Sequence, residues 1–188
     1  MKERPQKTTD KKMSWSNVKK ALADYDHKDL VSLIADLYAA NSSNKAFLHA
    51  RFLRGKDTLK PYLKIIEDCL YPDIYKNKPV QIAKGKKAIS DYRKAVGDSK
   101  GTLELMLCFV ETGTQFTLNC GDMDEDFYDS LLRMYENAID LLFTMDDAEI
   151  AEYRPRFEYL VTSTCNIGWG YHDVLEDIFN RAFSDQED

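Results

Sequence analysis

Apolar residues recur along most of this chain at steps of three and four, the period of a helix that buries one face. The clearest run is Leu30, Leu33, Ile34, Leu37 and Tyr38, an i, i+3, i+4, i+7, i+8 set that predicts one buried stripe. Asp26 ahead of it fits an N-cap, and Asp29 stands at the third helical position, where a carboxylate meets the positive end of the helix dipole. A short helix over about 16–24 precedes this one, and the polar run Asn41-Ser42-Ser43-Asn44 ends it.

The pattern continues in the same way. A third helix carries Phe47, Ala50 and Leu53 to Gly55, a residue suited to a left-handed cap. The fourth places Leu59, Tyr62, Leu63, Ile66, Cys69 and Leu70 on one face, with Pro61 in its first turn and Pro72 closing it. Residues 71–82, with two prolines, read as the longest internal loop. A fifth helix over 83–96 buries Ala88, Ile89, Tyr92, Ala95 and Val96 and stops at Gly97. The sixth, from about Thr102, is apolar nearly all round (Leu103, Leu105, Met106, Leu107, Phe109, Val110), which belongs at the centre of a bundle. Gly113 within it predicts a kink or a close neighbour.

The seventh helix opens at Asp122 or Asp124 and runs through Phe127, Leu131, Tyr135, Ile139 and Leu142. Asp146 and Glu149 start the eighth, striped by Ile150, Tyr153, Phe157, Leu160, Val161 and Thr164. Val174, Leu175, Ile178, Phe179 and Ala182 mark a last one. About nine helices joined by short turns pack largely as antiparallel neighbours. The expected fold is all-α, an irregular antiparallel helical bundle or a short HEAT-like αα-hairpin stack. No fixed repeat period holds. Residues 1–13 read as a flexible basic arm, 14–183 as a single all-helical domain and 184–188 as an acidic tail.

Composition supports helix, since 8 glycines and 5 prolines leave few turns. No apolar leader opens the chain and no run approaches the roughly 18 apolar residues of a spanning helix, so a cytoplasmic protein without membrane contact is expected. The four cysteines form no C-x-x-C pair and have no histidine cluster beside them, which argues against zinc or another metal. They are expected to pack as small hydrophobes. No cofactor is implied.

Charge is segregated beneath the net of -6. Met1–Lys20 holds seven basic and two acidic residues, and Lys76–Lys100 eight basic and two acidic. Glu104–Glu152 holds thirteen acidic residues against Arg133 alone. Such opposed fields steer partners. At 100° per residue, Lys86, Lys87, Arg93 and Lys94 fall away from Ile89, Tyr92 and Val96, and with Lys84 they make a candidate binding face. It suits a solvated face, a protein partner or nucleic acid, although the pI near 5.2 counts against nucleic acid.

Candidate chemistry is sparse. Asp122, Asp124 and Asp126 open like an EF-hand loop, but Phe127 and Arg133 stand where that loop needs glycine and glutamate. The segment Cys165-Asn166-Ile167-Gly168-Trp169-Gly170-Tyr171-His172 sets a thiol, an amide and an imidazole around a tryptophan between two glycines. It reads either as a helix–helix turn sealed by Trp169 or as a ligand site built from Asn166, Trp169, Tyr171 and His172, with Cys165–His172 a possible nucleophile pair. His27 and His49 have no carboxylate partner nearby in sequence. No G-x-S-x-G, phosphate-cradling glycine loop or H-E-x-x-H occurs.

Residues 28–38 (KDLVSLIADLY) with 44–52, and residues 121–139, resemble a family of small bacterial all-helical proteins, a domain of unknown function. The resemblance spans nearly the whole folded part. It implies a bacterial source and an all-helical fold, and it assigns no catalytic residue. The functional expectation is a non-enzymatic helical module that binds a protein partner. A small-ligand site or enzyme at the 165–172 loop, and nucleic-acid binding through 76–100, are the alternatives.

Overall fold

Nine α-helices and one 3-10 turn make up the regular structure of the described residues, with no β-strand among them. The computed structural model describes residues 14–53, 58–76 and 78–184. The expected arm at 1–13, the cap at Gly55 and all of the acidic tail except Ser184 lie outside these. The all-α reading holds. Chain contacts divide into two units, residues 1–45 and 46–188, with the boundary inside the third helix.

The N-terminal unit contains α1 (Trp15–Leu22), α2 (His27–Ala40) and the start of α3 (Ser42–Phe52). α2 opens on the capping box its sequence announces: Asp29 N–H donates to Asp26 Oδ1 at 2.8 Å, and Asp26 N–H donates to Asp29 Oδ2. Its end is closed by the polar run, where Asn44 Nδ2 donates to the Leu37 carbonyl at 2.6 Å and Asn41 Oδ1 accepts from Asn44 N–H. The helix forms, but its predicted burial does not. Neither α1 nor α2 buries a single residue. Val31, Ile34, Leu37 and Tyr38 are 52%, 47%, 50% and 37% exposed. Two short helices present too little surface to close a core of their own.

The second unit runs through α4 (Lys60–Leu70), a 3-10 turn (Ile74–Lys76), α5 (Ile82–Val96), α6 (Ser99–Cys120), α7 (Glu125–Leu142), α8 (Asp147–Ser163) and α9 (Tyr171–Phe183). It is an irregular bundle around α6, which packs against α4, α5 and α7, while α7 meets α8 and α9. α6 begins three residues before the apolar pattern does, because Asp98 caps it, accepting from the N–H groups of Lys100 and Gly101. Gly97, at φ 70°, ends α5 in the left-handed conformation that glycine adopts without strain. Arg51 Nη1 covers the carbonyls of Lys94 and Ala95 at the same helix end, both at 3.2 Å.

Gly113 is the predicted close approach. A Cβ there would meet Leu131 Cδ2 at 2.5 Å, so α7 lies against bare backbone. Tyr171 and Tyr128 lie within this core and place their hydroxyls on Thr114 and Thr117 of α6 at 2.8 and 2.6 Å. Tyr135 donates to the Phe157 carbonyl at 3.1 Å. Burial in this core pushes Tyr135 and Tyr171 far above the ordinary phenol range. Cys69 and Cys108 pack as expected, whereas Cys120 and Cys165 are exposed at helix ends, where no core reaches them.

Candidate binding surfaces

The basic residues of α5 separate into sets pointing in different directions. Lys86 and Arg93 are seven residues apart, and so are Lys87 and Lys94, but the two stripes are turned by about 100°. Lys87 pairs with Asp91 on its own helix, facing solvent. Lys84 turns to a groove that also holds Tyr71, Tyr75 and Asn119. Only Lys86 and Arg93, with Ile89 and Ser90, enter a common cleft. The expected single basic face is therefore split.

That cleft has a volume of about 720 Å³ and opens between α5 and α7. α6, antiparallel to both neighbours, closes its floor. The pairing shows in Tyr92 against Asp98 on one side and Tyr128 against Thr117 on the other. From α5 come Lys86, Ile89, Ser90 and Arg93, an i, i+3, i+4, i+7 face. From α7 come Arg133, Met134, Asn137, Asp140 and Leu141. Met106 and Thr102 rise from α6, and Asp98 and Ser99 close the end.

The electrostatics are uneven along the cleft. Lys86 Nζ donates to Ser130 Oγ at 3.1 Å, a neutral partner. Partial burial, then the nearby Arg133 guanidinium, pull the Lys86 ammonium below its usual range. Neither Lys86 nor Arg93 makes an ion pair with a described residue. Asp98 is occupied, accepting from α6 N–H groups and from the Tyr92 hydroxyl at 3.2 Å. Arg133 was hidden from the sequence reading inside the acidic stretch. Its signal was its isolation, one cation among thirteen carboxylates.

In the 165–172 loop, Cys165 and His172 hydrogen-bond to separate partners among the described residues. Cys165 Sγ donates to the Thr162 carbonyl at 3.2 Å. His172 Nδ1 lies at 3.3 Å from Thr164 Oγ1 and 3.2 Å from the Val161 carbonyl, so both side chains turn onto α8. Tyr171 is fully buried and belongs to the core. Asn166 and Trp169 stay exposed, and Trp169 has φ 61°, followed by Gly170 at 68°. A bulky residue in that region stores roughly 1–3 kcal/mol of strain.

The acidic stretch is used for capping and bridging. Asp124 Oδ1 accepts from Phe127 N–H at 2.9 Å and starts α7, and no group of three ligating side chains able to hold a metal occurs among the described residues. Glu104 and Glu111, two turns apart on α6, both receive Arg156 of α8. Glu111 takes two parallel bonds of 2.8 Å, and Glu104 one of 2.7 Å together with the Tyr153 hydroxyl.

No helix among the described residues is long and apolar enough to cross a membrane, and every α-helix and 3-10 turn described belongs to an all-α fold. The chain belongs to DUF6155, a family of unknown function, whose profile matches residues 13–183. No curated protein and no solved structure matches it.

Proposed function

We propose that this protein is a non-enzymatic helical interaction module that docks a protein partner on the apolar stripe of α2. The observation that carries the reading is that stripe. Val31, Ile34, Leu37 and Tyr38 lie half exposed on one side of a helix whose both ends are fixed by its own hydrogen bonds. Contiguous exposed apolar surface marks interaction sites, and a helix seats in a partner's groove by apolar anchors one turn apart, as Val31, Ile34 and Tyr38 are at i, i+3 and i+7. Charge sets the chemistry of that partner. α1 carries Lys19 and Lys20 in its last turn, whereas α2 sets Lys28 beside Asp29 and Asp36. The complementary surface is an apolar groove with a rim of mixed charge.

The test is a pull-down from the source organism with tagged full-length chain, nuclease treatment and quantitative mass spectrometry. The Ile34→Asp, Leu37→Asp double variant runs in parallel. One stoichiometric protein, retained by the wild type and lost by a variant that melts within about 2 °C of it, is the expected result. Capture that survives both substitutions overturns the reading. So does a homodimer in light scattering that the substitutions dissolve, since a second copy then occupies the stripe.

A further inference from the structure

We propose that the cleft between α5 and α7 binds an organic phosphate, its phosphoryl group between Lys86 and Arg133 and its apolar body on Ile89, Met106 and Met134. The proposal stands on unit 2 alone and is independent of the α2 reading.

Two cations from different helices converge at one end of this cleft without a buried counter-charge. Lys86 spends its described bond on a serine hydroxyl. Among the described residues Arg133 pairs with Asp129, at 3.5 Å and with both side chains largely exposed, a pair that binds the guanidinium weakly. Mutual repulsion of the two cations costs the free protein stability, and an anion placed between them removes that cost. Below them the floor is apolar. Ile89, Met106 and Met134 are buried from the rest of the solvent yet border the cleft, and methionine thioethers fit flat or irregular bodies. The volume of about 720 Å³ lies inside the roughly 300–1,000 Å³ range of small-molecule sites.

The far end fixes which way the ligand lies. Asp140 stands two helical turns beyond Arg133, about 10 Å along α7, and makes no ion pair with a described residue. With Arg93 at the same end, Asp140 leaves no net positive charge there to draw a second anionic group. Ser99, Asn137 and Arg93 offer neutral and cationic donors to the polar groups of the body instead. A phosphoryl group suits the near end better than a carboxylate. It carries up to two negative charges and three acceptor oxygens, enough to engage an ammonium and a two-pronged guanidinium together.

The full-length chain is titrated calorimetrically with 1-naphthyl phosphate, inorganic phosphate, 1-naphthol and 1-naphthoate. 1-Naphthyl phosphate is expected to bind about tenfold or more tighter than the other three. Lys86→Met and Arg133→Met each weaken it by about tenfold, while Lys87→Met, on the outward stripe, leaves it unchanged. Arg133 is highly exposed, so its variant keeps the test open if removal of Lys86 disturbs the fold. The proposal is overturned by no heat with 1-naphthyl phosphate, by equal affinity for the naphthoate or naphthol, or by unchanged binding in both cleft variants.

Discussion

α2 and α7 are built to the same specification. Each starts on an aspartate whose carboxylate accepts from the third helical N–H, Asp26 at 2.8 Å and Asp124 at 2.9 Å, and each carries an apolar stripe at helical spacing. α7 buries Phe127, Tyr128, Leu131, Met134, Tyr135, Ala138, Ile139 and Leu142. α2 buries nothing. The difference lies in what surrounds them. Leu131 packs against bare backbone at Gly113, and Tyr135 reaches a carbonyl on α8. Within its unit the stripe of α2 meets Lys45, whose ammonium lies 5.4 Å from the Tyr38 ring centroid, and it stays largely exposed. Amphipathicity states that a face requires cover, and the covering surface is written elsewhere, in the same chain or in another.

The comparison breaks most sharply under truncation of single side chains. Leu131→Ala or Phe157→Ala removes a fully buried group and is expected to cost about 3–5 kcal/mol in chemical denaturation. Leu37→Ala, half exposed on α2, is expected to change stability by no more than about 0.5 kcal/mol. Equal losses at Leu37 and Leu131 would show that the α2 stripe is structural and leave it no docking role.

Two substitutions of intermediate size probe how unit 2 is held. Gly113→Ala forces Leu131 aside, and about 1–3 kcal/mol of overpacking follows. Arg156→Ala frees Glu104 and Glu111, which lie partly buried two turns apart along α6, and a loss of about 1–3 kcal/mol is expected. Arg156→Lys recovers little, because an ammonium cannot make the paired bonds to Glu111. Full rescue by lysine in thermal melts would reduce this bridge to charge alone.

Alkali separates the regions without mutation. Burial raises Tyr62 and Tyr92 to about 12, and holds Tyr135, Tyr153 and Tyr171 higher still. Above about pH 10 the unfolded chain gives up phenolic protons that the folded chain keeps. Stability is then complete below pH 10 and falls as the pH rises through 12. All five tyrosines belong to unit 2. Thermal melts between about pH 8 and pH 11.5, read with tyrosinate absorbance, are expected to show cooperative loss of unit 2 together with the late tyrosinate signal. Ionisation of most tyrosines before any loss of structure would contradict the buried-hydroxyl core.

How much of this was legible in the sequence follows from what each signal depends on. Caps depend on residues three apart, so Asp26, Asp146 and Gly97 are legible, the cap of α7 narrows to Asp122 or Asp124, and the centrality of α6 follows from its lack of a polar face. The start of α6 was misread because Ser99, Lys100 and Gly101 show no apolar period, although Asp98 marks the place. Burial of α2 was misread because it depends on a second surface. The cleft was half legible. Lys86 and Arg93 show in the charge pattern, but dividing them from Lys87 and Lys94 requires knowing where α7 lies, and nothing local ties Arg133, alone among thirteen carboxylates, to α5. In the 165–172 loop, residue types do not reveal side-chain directions, and Cys165 and His172 each turn to a backbone carbonyl of α8.

The smallest expected effect is also the most discriminating. Asp26→Ala and Asp124→Ala delete the same cap, which typically contributes about 1 kcal/mol. In α7 the helix end is tied to the core, because Phe127, whose N–H the cap receives, is itself buried. Asp124→Ala is therefore expected to lower the global unfolding free energy by about 1 kcal/mol. α2 buries nothing, so fraying its first turn exposes no core, and Asp26→Ala leaves global unfolding within error while amide exchange at Asp29 and Leu30 accelerates about fivefold. A partner seated on the stripe changes that outcome. Its binding energy is gained only by the folded helix, so the same Asp26→Ala variant then loses affinity by a comparable factor. Global destabilisation by Asp26→Ala in the isolated chain would mean instead that α2 and the core unfold as one unit.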